Sequence, residues 1–225
     1  MHYANTYIPP TLTVDAVIFQ LTNHKLEVML IKRSNAPFKG SWALPGGYNP
    51  AGETTKEALR NIVNRKAGTD VLKNLRYIEQ LYTFDTVARD PRGHAVSVTY
   101  MGCGTNIAHS GGSEETSFFA VDELPPLAYD HQKIIAYARE RLAAKLTYTN
   151  AVYGLLQPKF TLTELQKSYE AVFGRELDKR NFRKKFLSLN LIKETNEISK
   201  SGAHRPARLF EFNSKSLDTL SRSFD

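Results

Sequence analysis

Residues 46–68 read GGYNPAGETTKEALRNIVNRKAG, a glycine turn followed by a stretch that predicts a helix over 54–67. On that helix Arg65 and Lys66 lie one turn beyond Asn61 and Ile62, so these residues share one wall. Glu53 and Glu57 stand one turn apart at its start. Upstream, 14–19 and 26–31 are apolar, β-branched runs separated by Thr22-Asn23-His24-Lys25, a hairpin signal. A loop rich in turn residues, 36–47, leads into the helix. Downstream, the apolar segments 75–84 and 94–101 flank Arg89-Asp-Pro-Arg-Gly93, a turn by composition. The Gly-rich piece 102–112 reads as a surface loop. A short strand over 117–121 is stopped by Asp122-Glu-Leu-Pro-Pro126, and a second helix is expected over 130–145. No internal repeat is visible.

From about Thr147 the chain changes character. Residues 151–156 read as the end of a helix closed by Pro158. Thr161 and Glu164 have capping-box spacing. Leu165, Tyr169, Val172 and Phe173 follow at helical spacing, and Gly174 is a fitting stop. Asp178 suits the N-cap of a further helix with Phe182, Phe186 and Leu189 on its apolar face. Strands over 191–194 and 208–212 are joined by the polar hairpin 195–206. Helix, helix, turn, helix and hairpin is the winged helix-turn-helix plan. An α+β chain is expected, with one domain over residues 1–146 and a second over 147–225.

The 225 residues are 41% apolar and 24% charged, ordinary values for a globular chain. The net charge of +7 is unevenly spread. Residues 1–149 hold 16 Lys+Arg against 14 Asp+Glu, a net +2, whereas 150–225 hold 14 against 9, a net +5. That bias favours an anionic partner for the second part. Lys179, Arg180, Arg183, Lys184 and Lys185, with Asn181 among them, lie on the helix that starts at Asp178. Arg and Asn can read base edges in a major groove while Lys holds phosphate. Lys200, His204 and Arg205 in the hairpin suit backbone or minor-groove contact. A basic helix face alone is as often merely solvated; the helix-turn before it and the wing after it favour DNA here.

Cys103 is the single cysteine, which excludes an internal disulfide and a cysteine-based zinc framework. It reads as a strand residue in a reducing compartment. No basic leader followed by an apolar run and no run of membrane-spanning length is seen, so no membrane association and a cytoplasmic location are expected. His24, His94 and His109 show no ligand spacing, and no metal site is expected. His131 is a helix cap or a ligand contact.

The stretch 46–68 resembles the Nudix box, G-x5-E-x7-R-E-U-x-E-E-x-G-U with U a bulky aliphatic. Gly47, Glu53, Val63 and Gly68 match it at the right spacing. Asn61-Ile62 replaces the Arg-Glu pair, and Arg65-Lys66 replaces the Glu-Glu pair. Nudix hydrolysis of a diphosphate needs divalent metal, and magnesium wants carboxylate oxygens. Two swaps from −1 to +1 change the wall by about four charges, where one unit pair 4 Å apart already interacts by about 4 kcal/mol at an effective dielectric of about 20. Glu53 and Glu57 either hold a metal weakly or simply favour the helix dipole. Arg65 or Lys66 either binds a phosphate in place of the metal or turns outward to solvent.

Nearly the whole chain, from about Thr13 to Phe212, resembles the Nudix-related transcriptional regulators of NAD metabolism, the NrtR family. Besides the box, Lys32-Arg33, Phe38-x-Gly40-x-Trp42-Ala-Leu-Pro-Gly-Gly47, Arg89-Asp-Pro-Arg-Gly93, Tyr129-Asp-His131 and the run from Gly202 to Phe210 carry the likeness. It implies a Nudix α/β/α sandwich followed by a winged helix-turn-helix. It also implies a homodimeric repressor of NAD-biosynthesis genes that binds palindromic operator DNA and releases it when the Nudix domain binds ADP-ribose. No cofactor and no catalytic residue are expected. The expected ligand pocket is Arg33, Trp42, Gly46, Gly47, Glu53, Arg65 and Lys66, with Trp42 either stacked on adenine or packed in the core. Two rivals remain: an active ADP-ribose pyrophosphatase, and a sugar-responsive regulator of pentose metabolism with the same architecture.

Overall fold

Strand β1 (Thr11–Thr22) is buried on both faces, and the N-terminal part is built around it. The computed structural model describes residues 8–199, 206–214 and 216–220. β1 pairs antiparallel with β2 (Lys25–Lys32) through a two-residue turn whose Asn23 and His24 have φ of 50° and 64°. Both values are those a hairpin with right-handed twist demands. β3 (Trp42–Ala43) lies on β2, and β4 (Gly46–Tyr48) pairs with the start of β1 at Thr13–Asp15. α1 (Thr55–Ala67) follows. β5 (Leu75–Phe84) pairs with β6 (Ala95–Gly104), β6 runs parallel to β1, and β7 (Glu115–Ala120) returns to β2.

Alternation along β1 sends Val14, Ala16 and Ile18 toward α1, where Leu59, Ile62 and Val63 meet them. Val17 and Phe19 face the opposite layer, α2 (His131–Tyr148), and its Ile134, Ile135 and Leu142. The sheet is therefore sandwiched between two helices, and β1 must be apolar on both sides. α1 opens with a capping box: Thr54 Oγ1 accepts from the Glu57 amide at 3.3 Å, and the Glu57 carboxylate accepts from the Thr54 amide at 2.8 Å.

The second part begins inside α2, which runs to Tyr148 rather than stopping near 145. Residues Ala151–Leu155 form a 3-10 helix, not the end of an α-helix. α3 (Leu162–Phe173) has the Thr161/Glu164 capping box and ends at Gly174 with φ 66°. α4 (Lys179–Ser188) is capped by the Asp178 side chain, which accepts from the Asn181 amide at 2.8 Å. β8 (Ile192–Ser199) and β9 (Ala207–Phe212) pair antiparallel as the wing. Three expectations are corrected. Strand β6 continues through Gly104, so 102–104 is buried sheet and not surface loop. β3 and β4 were not foreseen within the turn-rich loop. The helix expected to end near 145 continues to Tyr148.

The two parts share one core. A continuous apolar cluster joins Phe19, Leu142, Leu146, Val152, Phe160, Tyr169 and Phe186. The 3-10 helix lies so close to the sheet that a Cβ on Gly154 would sit 3.0 Å from Cys103 Cβ and 3.1 Å from Tyr77 Cβ. Arg139 of α2 donates to the Ala171 and Val172 carbonyls at the end of α3, at 3.2 and 3.1 Å. Phe186 is fully buried, stacked on Phe182 at 5.7 Å and set edge-on to Tyr169 at 5.8 Å. Phe186→Ala is expected to cost about 3–5 kcal/mol in urea unfolding. Leu187→Ala, on the exposed side of the same helix, should change stability by no more than about 0.5 kcal/mol.

Candidate functional site

Where β1 exchanges β2 for β4 as its partner, the sheet opens into a cleft of about 440 Å³. β1 and β4 form its floor, α1 one wall, the 85–94 loop and the start of α2 the other. Arg33, Gly46, Gly47, Glu53, Arg65 and Lys66 all line it. Trp42 does not. Its ring packs edge-on against Phe119 at 4.8 Å, with the Lys32 ammonium 5.7 Å above it, on the α2 side of the sheet. Trp42 pairs with Lys32, which does not line the cleft either; Arg33 and Leu44, just past the end of that pairing, do. The aromatic rings that do line the cleft are Tyr48 and Tyr129. Phe38 stands edge-on to Tyr129 at 4.8 Å, and the Arg33 guanidinium lies 5.0 Å over the Tyr129 ring.

The replaced box residues take distinct roles. Ile62 is buried in the core beneath Gly47, while Asn61 donates to Glu53 Oε2 at 3.1 Å. Glu57 is not a cleft residue: the capping box engages its carboxylate, and hydrogen bonds from Thr54 hold its pKa below the usual carboxylate value. Arg65 is exposed at the rim and Lys66 is half-buried. Burial pushes the Lys66 pKa down, and the Arg33 and Arg65 charges add to that, against partial support from Glu114 and Asp15. The α1 terminus is closed by backbone bonds from Ser113 to Arg65 O at 2.8 Å and from Glu114 to Lys66 O at 3.1 Å.

Beneath the cations lies a polar cluster that composition alone did not reveal. Asp15, its side chain 9% exposed, accepts from Ser97 Oγ at 2.5 Å. Arg89 forms a bidentate pair with Asp130, at 2.8 and 3.1 Å, and approaches Asp15 at 3.7 Å. Arg92 forms a bidentate pair with Asp90, at 2.6 and 3.0 Å, which holds the Asp90 pKa low. Tyr129 is raised by burial, partly offset by Arg33 and Arg92. His131 is no cap. It is buried, and its Nδ1 accepts from the Leu44 amide at 2.9 Å, which puts a neutral ring's proton on Nε2, 3.8 Å from Asp15 Oδ1. Burial lowers its pKa, with Asp15 and Asp130 opposing. The sequence signal for Asp15 was one charge in the middle of an apolar strand.

The second surface is α4. Lys179, Arg180, Asn181 and Lys184 are exposed, and Phe182 and Phe186 turn inward. Arg183 instead reaches back to α3, donating to Thr163 Oγ1 at 3.1 Å. Lys185 is half-buried. Lys200, His204 and Arg205 lie outside the described residues. Ion pairs across the wing join Lys193 to Glu211 at 3.0 Å and Arg208 to Glu194. Among the described residues no helix is long and apolar enough to cross a membrane.

Comparison with known proteins assigns both parts. Residues 11–138 match the family model described as NUDIX domain, and residues 152–212 match that of the NrtR DNA-binding winged helix domain. The "ADPR responsive transcriptional repressor NtrR" of Acinetobacter baylyi is 36% identical over 212 residues, spanning 92% of this chain and 83% of that protein. An ADP-ribose pyrophosphatase of Methanocaldococcus jannaschii is 35% identical over 131 residues, 57% of this chain and 73% of that one. Shewanella oneidensis NrtR, solved with a 27mer DNA, superposes with a TM-score of 0.80 at 30% identity, over 95% of this chain and 99% of that one. Its NUDIX domain, solved with ADP ribose, gives 0.51 at 32% identity, over 63% and 94%.

A lysine whose pKa is lowered by folding binds a proton more weakly in the native than in the unfolded chain, so its charge opposes folding. Lys66→Met is therefore expected to raise the melting temperature at neutral pH. The gain should shrink as pH rises from the lowered folded pKa toward the ordinary lysine value of 10.5, where wild-type Lys66 loses its proton as well. Thermal melts of both proteins across that range read it directly.

Proposed function

The chain belongs to the NrtR family of Nudix proteins with a winged helix, and from that premise we propose that it is a transcriptional repressor of NAD-biosynthesis genes whose Nudix cleft senses ADP-ribose. The observation that carries this reading is the pairing of two surfaces on one core. A cleft lined by Arg65 and half-buried Lys66 belongs to the first part, and a helix exposing Lys179, Arg180, Asn181 and Lys184 to the second. Cations in the cleft favour a diphosphate that stays whole, since the box's glutamates are missing where metal would be held. Lys66 is the better placed of the pair for phosphate, because a half-buried ammonium is less screened than exposed Arg65. In this reading Arg33, Gly46, Gly47 and Glu53 complete the ligand pocket, and no cofactor is required.

α4, ten residues and about 15 Å long, fits a major groove with its Arg and Asn toward base edges. A homodimer would set two such helices on a palindromic operator about one helical turn apart. Ligand binding that alters their separation weakens the complex. The protein acts in the cytoplasm with the chromosomal DNA. A gel shift on the upstream region of NAD-biosynthesis genes tests the whole proposal, with ADP-ribose expected to release the DNA. Binding that ADP-ribose leaves untouched removes the effector from the reading. Lys184→Ala should weaken operator binding and reduce the slope of log affinity against log salt by about 1, as loss of one phosphate contact requires.

The hydrolase reading draws on the Methanocaldococcus relative, named an ADP-ribose pyrophosphatase. Arg65 and Lys66 argue against it here, as does Ile62 at a second acid position of the box. The double variant Arg65→Glu/Lys66→Glu is expected to abolish release of the operator by ADP-ribose without generating AMP in magnesium. AMP formation by the wild-type protein would establish the hydrolase instead.

A further inference from the structure

The cleft has a chemical order from rim to floor. Tyr48 is 54% exposed and Phe38 42%, so the aromatic rings around Tyr129 stand at the rim. Arg33 stacks on Tyr129, and its charge and that of Asp15 both act on Lys66. At the floor sits Asp15, whose Oδ2 is held by Ser97. Its Oδ1 receives no hydrogen bond from the described residues: His131 Nε2 is 3.8 Å away, beyond hydrogen-bond range. As Asp15 lines the cleft, this oxygen is open to a donor that enters it.

Gly46 keeps this oxygen in the cleft. A Cβ there would lie 1.9 Å from Asp15 Oδ1 and 2.7 Å from the Val14 carbonyl, so the floor of β4 is bare backbone where the carboxylate lies across it. Arg89 is already committed to Asp130 and leaves Asp15 at 3.7 Å. The arrangement holds the carboxylate in place without using up its second oxygen.

We propose that Asp15 determines effector specificity by accepting hydrogen bonds from the hydroxyls of the sugar beyond the diphosphate, so that a nucleoside diphosphate carrying a second sugar is distinguished from one without it. This rests on the ADP-ribose reading of the cleft. A flat base suits the aromatic rim, the diphosphate suits the cations, and a polyol is the part whose donors match an unfilled carboxylate oxygen.

Asp15→Asn gives a signature that a structural role would not. Removing a negative charge from a cleft that takes a diphosphate should leave ADP affinity unchanged or stronger. In D15N the amide oxygen takes the Ser97 bond and the NH2 group replaces Oδ1 toward the cleft, and this loss of the acceptor should weaken ADP-ribose at least tenfold. Calorimetry of wild type and variant with each nucleotide measures both, alongside a thermal melt. Opposite or unequal shifts of this kind support the subsite. Equal weakening, or strengthening of both, overturns it while leaving the nucleotide reading intact. A wild type that binds neither nucleotide overturns both. Should Asp15→Asn not fold, Ser97→Ala, which keeps the charge and frees Oδ2, decides by the same comparison: a several-fold loss for ADP-ribose alone is expected, and no selective loss refutes the assignment.

Discussion

Helix α2 has to satisfy two packing environments at once. Its first residue, His131, accepts the Leu44 amide and borders the cleft, and its N-cap residue Asp130 holds Arg89. Its last turns bury Leu142 and Leu146 in the cluster that continues to Phe160, Tyr169 and Phe186 of the winged helix. In between, Arg139 fastens the end of α3. Packed interiors do not deform continuously. Through this helix the cleft and the winged helix share one packed core.

Charge is distributed along that unit with opposite purposes. In the cleft, Arg89 and Arg92 are neutralised by Asp130 and Asp90 through bidentate pairs, so their role is to fix the loop over 85–94. Lys66 has no such partner within the ion-pair distances found among the described residues, and burial depresses its pKa. On α4, Lys179, Arg180 and Lys184 stand in solvent, where the cost of charge is small and the reach to phosphate long. The cleft holds Lys66 at an energetic cost, whereas Lys179, Arg180 and Lys184 are exposed on α4.

Much of the fold was legible because local rules and tertiary packing agreed. The Thr161–Glu164 capping box, the Gly174 stop, the Asp178 cap and the Phe182/Phe186 stripe all sit as their spacing predicted. So does the hairpin at Asn23-His24. Legibility failed where long-range pairing decided the outcome. β3 and β4 have two and three residues and exist only because β2 and β1 offer partners. Gly102 and Gly104 read as loop, yet lie in β6 because Leu75 and Asn74 press against it there, where a side chain would not fit. Trp42 lies in a motif of which Leu44, Gly46 and Gly47 line the cleft, but its ring packs against Phe119 in the core on the α2 side.

Asp15 was the hardest part of the site to foresee and the reason is physical. A carboxylate within an apolar strand has no local pattern that announces its purpose; its meaning comes from partners 82 and 116 positions away in the chain, Ser97 and His131, and from a glycine thirty-one residues on. Burying a charge costs free energy unless hydrogen bonds and opposite charges offset it. Here one hydrogen bond, from Ser97, is made directly, and the Arg89 guanidinium stands near but is engaged elsewhere. Its second oxygen faces the cleft, open to a donor that enters there. The cleft thus combines a cationic wall, Arg65 and Lys66 on α1, with an acidic floor, Asp15 on β1.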